Sequence, residues 1–128
     1  ILVGYDGSKE SEDAVQLARK HVQAFNANVH IITSLKQGPD LKKEDIDKAE
    51  SKLERLKAPF KADGLSCETQ VVVSVLSTGE DLVRFVKEND IDEVIIGVRK
   101  KSKVGKLVFG STAQYVILEA PCPVVTIK

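Results

Sequence analysis

The chain has 128 residues, enough for a single domain that buries most of its apolar surface without help from disulfides or metals. Its 19 Lys and Arg balance 19 Asp and Glu, so a net charge of zero gives no long-range pull toward nucleic acid or an acidic membrane, and any basic site must be local. No apolar run reaches the ~20 residues that span a bilayer and no signal-peptide pattern opens the chain, while Cys67 and Cys122 lack CxxC or His/Cys spacing and read as small apolar fillers of a reducing, cytoplasmic protein.

The first strand is "ILVGY" (1–5); with no methionine in the chain, a few residues are expected to precede it. Ser8 then serves as N-cap to a helix whose inner face carries Ala14, Leu17, Ala18, His21, Val22 and Phe25, with Glu10, Glu12 and Asp13 at its positive end. "VHIITSL" (29–35) is the second strand. The stretch "KQGPDLKKED" (36–45) reads as a solvated loop, or alternatively as a lid or partner surface. Ile46, Ala49, Leu53 and Leu56 mark a second helix that Pro59 should kink or stop. After the strand "TQVVVSV" (69–75), Thr78 and Asp81 form a cap pair for a third helix with Leu82, Phe85 and Val86 inward. "EVIIGV" (93–98) is the fourth strand. Ser111 caps a last helix bearing Ala113, Val116, Ile117 and Ala120, ended by Pro121, and "PVVTIK" (123–128) closes the chain as a fifth strand.

Alternation of strand and helix predicts an α/β fold, a single open parallel five-stranded sheet with helices on both faces in Rossmann-like fashion. The last strand should lie at an edge, where the apolar Val124, Val125 and Ile127 offer unpaired backbone groups to a second copy; a homodimer through this strand is expected, limited by Pro121 and Pro123 to the residues beyond them.

Ligands of such sheets bind beyond the carboxyl ends of the strands. Two strand ends carry candidate chemistry. In "GYDGS" (4–8), Asp6 follows the first strand, either as a turn cap or as a ligand contact. In "GVRKKSKVGKLVFGS" (97–111), Gly97 ends the fourth strand and Gly110-Ser111 opens a helix whose free N–H groups can receive an anion. Between them stand Arg99, Lys100, Lys101, Lys103 and Lys106, a solvated run by itself but a phosphate partner when set against a helix N-terminus. A Walker loop fails twice, since Leu107 follows Gly105-Lys106 and Lys100 stands where its first glycine belongs. A dinucleotide fingerprint fails for want of a third glycine. His21 and His30, on a helix face and in a strand, read as packing residues rather than acid–base catalysts.

These features together, from "ILVGYDGS" through the Gly110-Ser111 loop to "PCPVVTI", resemble a universal stress protein domain, and the resemblance covers residues 1–128. The nucleotide-binding members of that family carry Gly, two residues, Gly, nine residues, Gly and then Ser or Thr. Gly97, Gly110 and Ser111 fit this spacing, and Lys100 replaces the second glycine. The resemblance implies an adenosine pocket lined by Gly4, Tyr5 and Asp6, with Ser34 at the adenine. It implies that Gly97 approaches ribose and phosphate by its backbone, that Gly110, Ser111 and Thr112 hold phosphates, and that Arg99 and Lys100 stand beside them. Lys100 either obstructs a triphosphate or supplies its ammonium in place of an amide. The implied ligand is ATP, with magnesium approached by Asp6, or else AMP or ADP. No second carboxylate or nucleophile-orienting residue stands in a motif, so turnover should be slow or absent. The expected role is an ATP-binding stress-response regulator acting on an unidentified protein client as a homodimer, without nucleic-acid or membrane partners; the alternative is a nucleotide-free dimeric interaction module of the same fold.

Overall fold

The computed structural model describes residues 1–99 and 110–128; Lys100, Lys101, Lys103 and Lys106 lie outside them. The elements run β1 (Leu2–Gly4), α1 (Lys9–Phe25), β2 (Val29–Lys36), α2 (Lys43–Ala62), β3 (Cys67–Ser74), α3 (Thr78–Glu88), β4 (Val94–Gly97), α4 (Ser111–Glu119) and β5 (Val124–Ile127). The five strands form one sheet in the order β3-β2-β1-β4-β5, and every pair is parallel. β5 therefore takes the expected edge, and β3 takes the other.

Because successive strand residues face opposite sides, each apolar run feeds two cores. Val3, Ile31 and Ile95 pack with Ala14, Val15, Ala18 and Val22 of α1 and with Leu53 and Phe60 of α2. Leu2, Ile32, Val94 and Ile96 pack on the other face with Leu82, Val83 and Val86 of α3 and with Ala113 and Val116 of α4. This is the layered α/β arrangement that the alternation of elements predicts. Cys67 is buried in the first of these cores, and burial pushes its thiol up to about 11, as suits a small apolar filler.

Four local expectations are corrected. Phe25 stands 71% exposed; α1 stops one residue later at Asn26, whose backbone is left-handed, and the ring rests edge-on against His21 instead of the sheet. Pro59 does not stop α2, which runs on to Ala62. A proline withdraws one N–H from the helix, and buried Phe60 anchors the final turn while its carbonyl accepts from the Leu65 N–H at 2.8 Å. α3 is capped by Ser77, one residue before the expected Thr78, in a reciprocal box with Glu80. α4 starts from Gly110, so Ser111 is its first helical residue rather than its cap.

Candidate functional site

The strand order reverses between β1 and β4, which open a crevice at their carboxyl ends. A cleft of about 450 Å³ occupies it, walled by Gly4–Asp6, Ile32–Leu35 and Ile96–Arg99 from three strand ends and by the first residues of α1, α3 and α4. Gly4, Tyr5, Asp6, Ser34, Gly97, Arg99, Gly110, Ser111 and Thr112, which the sequence singles out from stretches far apart in the chain, all line this cleft. Lys100 lies outside the described residues.

Asp6 shapes the cleft mouth. Its Oδ1 accepts the Ser8 N–H at 2.9 Å, a short Asx turn that Gly7 completes at φ +85°. The Arg99 guanidinium stands 3.8 Å from Asp6 Oδ2 and 3.8 Å from Glu10 Oε2. Burial works to raise the Asp6 carboxyl, but hydrogen bonds from Ser8 and Ser11 and the charge of Arg99 outweigh it and hold the group below its ordinary value. Asp6 is thus a turn cap, and it also lines the cleft.

Tyr5 contributes mainly backbone. Its ring is buried in the core beneath α1 and α2, its hydroxyl donates to Glu12 Oε1 at 3.2 Å, and its carbonyl accepts from Thr33 Oγ1 at 2.9 Å. Burial first, and then the Glu12 carboxylate, raise its phenol.

Gly97 needs its missing side chain for a reason the sequence did not disclose. A Cβ there would sit 2.4 Å from the Glu10 carbonyl carbon and 2.6 Å from its oxygen, inside the backbone of α1. The glycine makes room for a helix, and its own backbone remains on the cleft wall. Gly110 is different: its φ of −66° suits any residue, and a Cβ would meet no described atom within 4 Å.

The four helix starts are chemically unequal. Ser8 caps α1, which carries Glu10 and Glu12 in its first turn; α2 carries Glu44 and Asp45; Ser77 caps α3, which carries Glu80 and Asp81. α4 has no side-chain cap and no acidic residue in its first turn. Its leading N–H groups and positive dipole end therefore meet no anion from their own helix, and they open on the cleft beside Arg99.

Ser34 proves to be tied to Asp81, buried beside the cleft and read from sequence only as a cap: Ser34 Oγ donates to Asp81 Oδ2 at 2.7 Å. Ser8, Ser11, Thr33, Thr78, Leu82, Ile96 and Val98 also line the cleft and were not foreseen as site residues. The S-x-x-E pattern of Ser77 and Glu80 was the signal that would have placed the start of α3 and, with it, Thr78. A second hollow of about 480 Å³ adjoins the first across Tyr5, Asp6, Thr33 and Leu35 and runs toward Lys48 and Lys52 of α2. Among the described residues no three or more His, Cys, Asp or Glu gather as a metal site, and no helix is long and apolar enough to cross a membrane.

The sequence matches the Universal stress protein family over residues 1–128. The chain belongs to this family. The structure of a universal stress protein from Archaeoglobus fulgidus superposes with a TM-score of 0.87 at 34% identity, covering 99% of this chain and 96% of that one. A universal stress protein from the same organism, solved in complex with dAMP, superposes at 0.83 with 30% identity, covering 99% and 95%. A universal stress protein of Thermus aquaticus is 27% identical over 100% of this chain and 97% of its own.

Proposed function

We propose that this universal stress protein binds an adenine nucleotide in the cleft and works as a cytoplasmic homodimeric regulator whose ATP-bound and empty forms associate differently with a protein client. The observation that carries the reading is the bare start of α4: of the four helices among the described residues it alone lacks both a capping side chain and a first-turn acid. A phosphate chain completes what that helix lacks, taking the amides of Ser111, Thr112 and Ala113, with Arg99 at the mouth and the base reaching toward β1 and β2. The relative solved with dAMP supports adenine as the base. ATP fills such a cleft most fully, and AMP or ADP shares the base and the first phosphates.

In this reading magnesium enters with the triphosphate and is approached by Asp6, which lines the cleft. Asp6 and Glu10 both lie beside the Arg99 guanidinium, and Asp6 also holds the Ser8 turn. Slow or absent hydrolysis follows from the sequence, in which no second carboxylate or nucleophile-orienting residue stands in a motif.

Calorimetry with ATP on the wild type and on Gly110→Val tests the site. A Cβ at 110 meets no described atom within 4 Å but occupies the proposed phosphate approach, so affinity should fall by at least about tenfold with an unchanged melting temperature. Equal affinities overturn the assignment. A wild type that binds no nucleotide favours the nucleotide-free interaction module.

The homodimer rests on the free edge of β5 and on the exposed apolar residues Tyr115, Ile117 and Leu118 of the helix leading into it. Val125→Pro should give a monomer by sedimentation. A wild type that is monomeric at high micromolar concentration overturns the dimer.

A further inference from the structure

Asp81 is the one charged side chain buried among the described residues, at 4% exposure. Its carboxylate accepts from two hydroxyls, Ser34 Oγ at 2.7 Å and Ser74 Oγ at 2.8 and 2.9 Å, and Arg84 one turn on stands 3.7 Å away. The register of β2 and β3 pairs Ser34 with Val72 and Lys36 with Ser74, which places both serines on the face of the sheet that α3 covers.

A carboxylate only accepts, whereas a hydroxyl has one proton and two lone pairs. Asp81 therefore claims the proton of each serine. Ser74 uses a lone pair on the Leu76 N–H at 3.1 Å. Ser34 receives no donor from any described residue, and it lies on the cleft wall. The β2 end of the cleft consequently presents an oxygen able to accept and barred from donating. The anion-receiving start of α4 borders the β4 end, two strands away in the sheet, or roughly 10 Å. That is the span of a nucleotide with its phosphates at α4 and the outer edge of its base near Ser34.

We propose that Asp81 is a specificity-setting positioning residue: by taking the Ser34 proton it fixes that hydroxyl as an acceptor and selects a purine carrying an amino group at its 6-position over one carrying a carbonyl there. The proposal rests on the nucleotide reading above and extends it from the phosphates to the base. A 6-carbonyl would meet the Ser34 lone pairs with its own, leaving two acceptors facing one another in a partly buried site.

The test is calorimetric affinity for ATP and for ITP in the wild type, Ser34→Ala and Asp81→Asn. The wild type should prefer ATP by about tenfold or more. Ser34→Ala, which deletes one hydroxyl and leaves Asp81 its Ser74 donor, should weaken ATP and narrow the preference to about twofold. Asp81→Asn supplies an amide N–H to Ser34, frees its proton to turn into the cleft, and should erase or reverse the preference. The ATP-to-ITP ratio is decisive because a merely loosened fold weakens both ligands alike. Should the wild type bind ATP while the ratio holds in both variants, the proposal fails and the nucleotide site stands. Should it bind neither nucleotide, both readings fall.

Discussion

α3 and α4 both begin on the wall of the same cleft, yet they treat their exposed amides in opposite ways. At α3 the Ser77 hydroxyl accepts the Glu80 N–H at 3.2 Å, and the Glu80 carboxylate in turn accepts the Ser77 N–H at 3.2 Å and its hydroxyl at 2.9 Å. Asp81 adds a second negative charge in that first turn. At α4 a glycine stands in the cap position and Ser111, Thr112 and Ala113 follow without an acid. A helix that brings its own anions is finished as a structural element. One that brings none keeps its dipole available, and the chemistry of this cleft is set by which of its helices was left unfinished.

The comparison breaks most sharply if α4 is made to look like α3. Thr112→Glu places a carboxylate in the first turn of α4, where it should cut ATP affinity by about a hundredfold while the helix itself gains several tenths of a kcal/mol. Unchanged calorimetric affinity would mean that the phosphates lie elsewhere. The converse change is milder: Ser77→Ala strips the cap from α3 and should cost about 1 kcal/mol in urea denaturation, with ATP affinity held within about twofold. A large loss of affinity there would show that α3, too, serves the ligand.

The smallest effect belongs to the turn before α1. The Asp6 carboxyl is held below the ordinary 3.8 in the folded chain. Its contribution is therefore present above that value and is lost as pH falls through the lower, folded one. Acid unfolding of Asp6→Asn should show a shallower loss of stability below pH 3.8 than the wild type; identical curves would leave the Ser8 and Arg99 contacts without energetic weight. The side chain is 64% exposed, so solvent screening keeps this difference slight.

Much of the fold could be read from local pattern. The alternation of β-branched runs with helical spacing announced the parallel sheet, and the terminal position of β5 announced its edge. Cleft residues were legible where a strand end met a turn glycine, as at Asp6, or where a glycine preceded a helix, as at Gly110. What escaped was set by adjacency or by distance. The tandem Ser77-Thr78 offered two cap registers, and the side-chain reciprocity of Ser77 with Glu80 chose between them. The cap position of α4 fell to Gly110 although Ser111 has the better side chain for it, and that leaves the amides open. Asp81 of α3 could not be recognised as a buried acceptor because its partners Ser34 and Ser74 reach it from two strands, 47 and 7 residues away. Phe25 followed the helical period of α1 but came one turn too late to meet the sheet.

The collision awaiting any side chain at position 97 bears on how related sequences should be read. Since the backbone of Glu10 already fills that space, a descendant that had abandoned its ligand would still be compelled to retain glycine there to keep α1 in place. Position 110 carries no such obligation to any described residue. Of the two glycines, it is the one that no described neighbour holds in place, so a substitution there reads out on the cleft and not on the packing of α1.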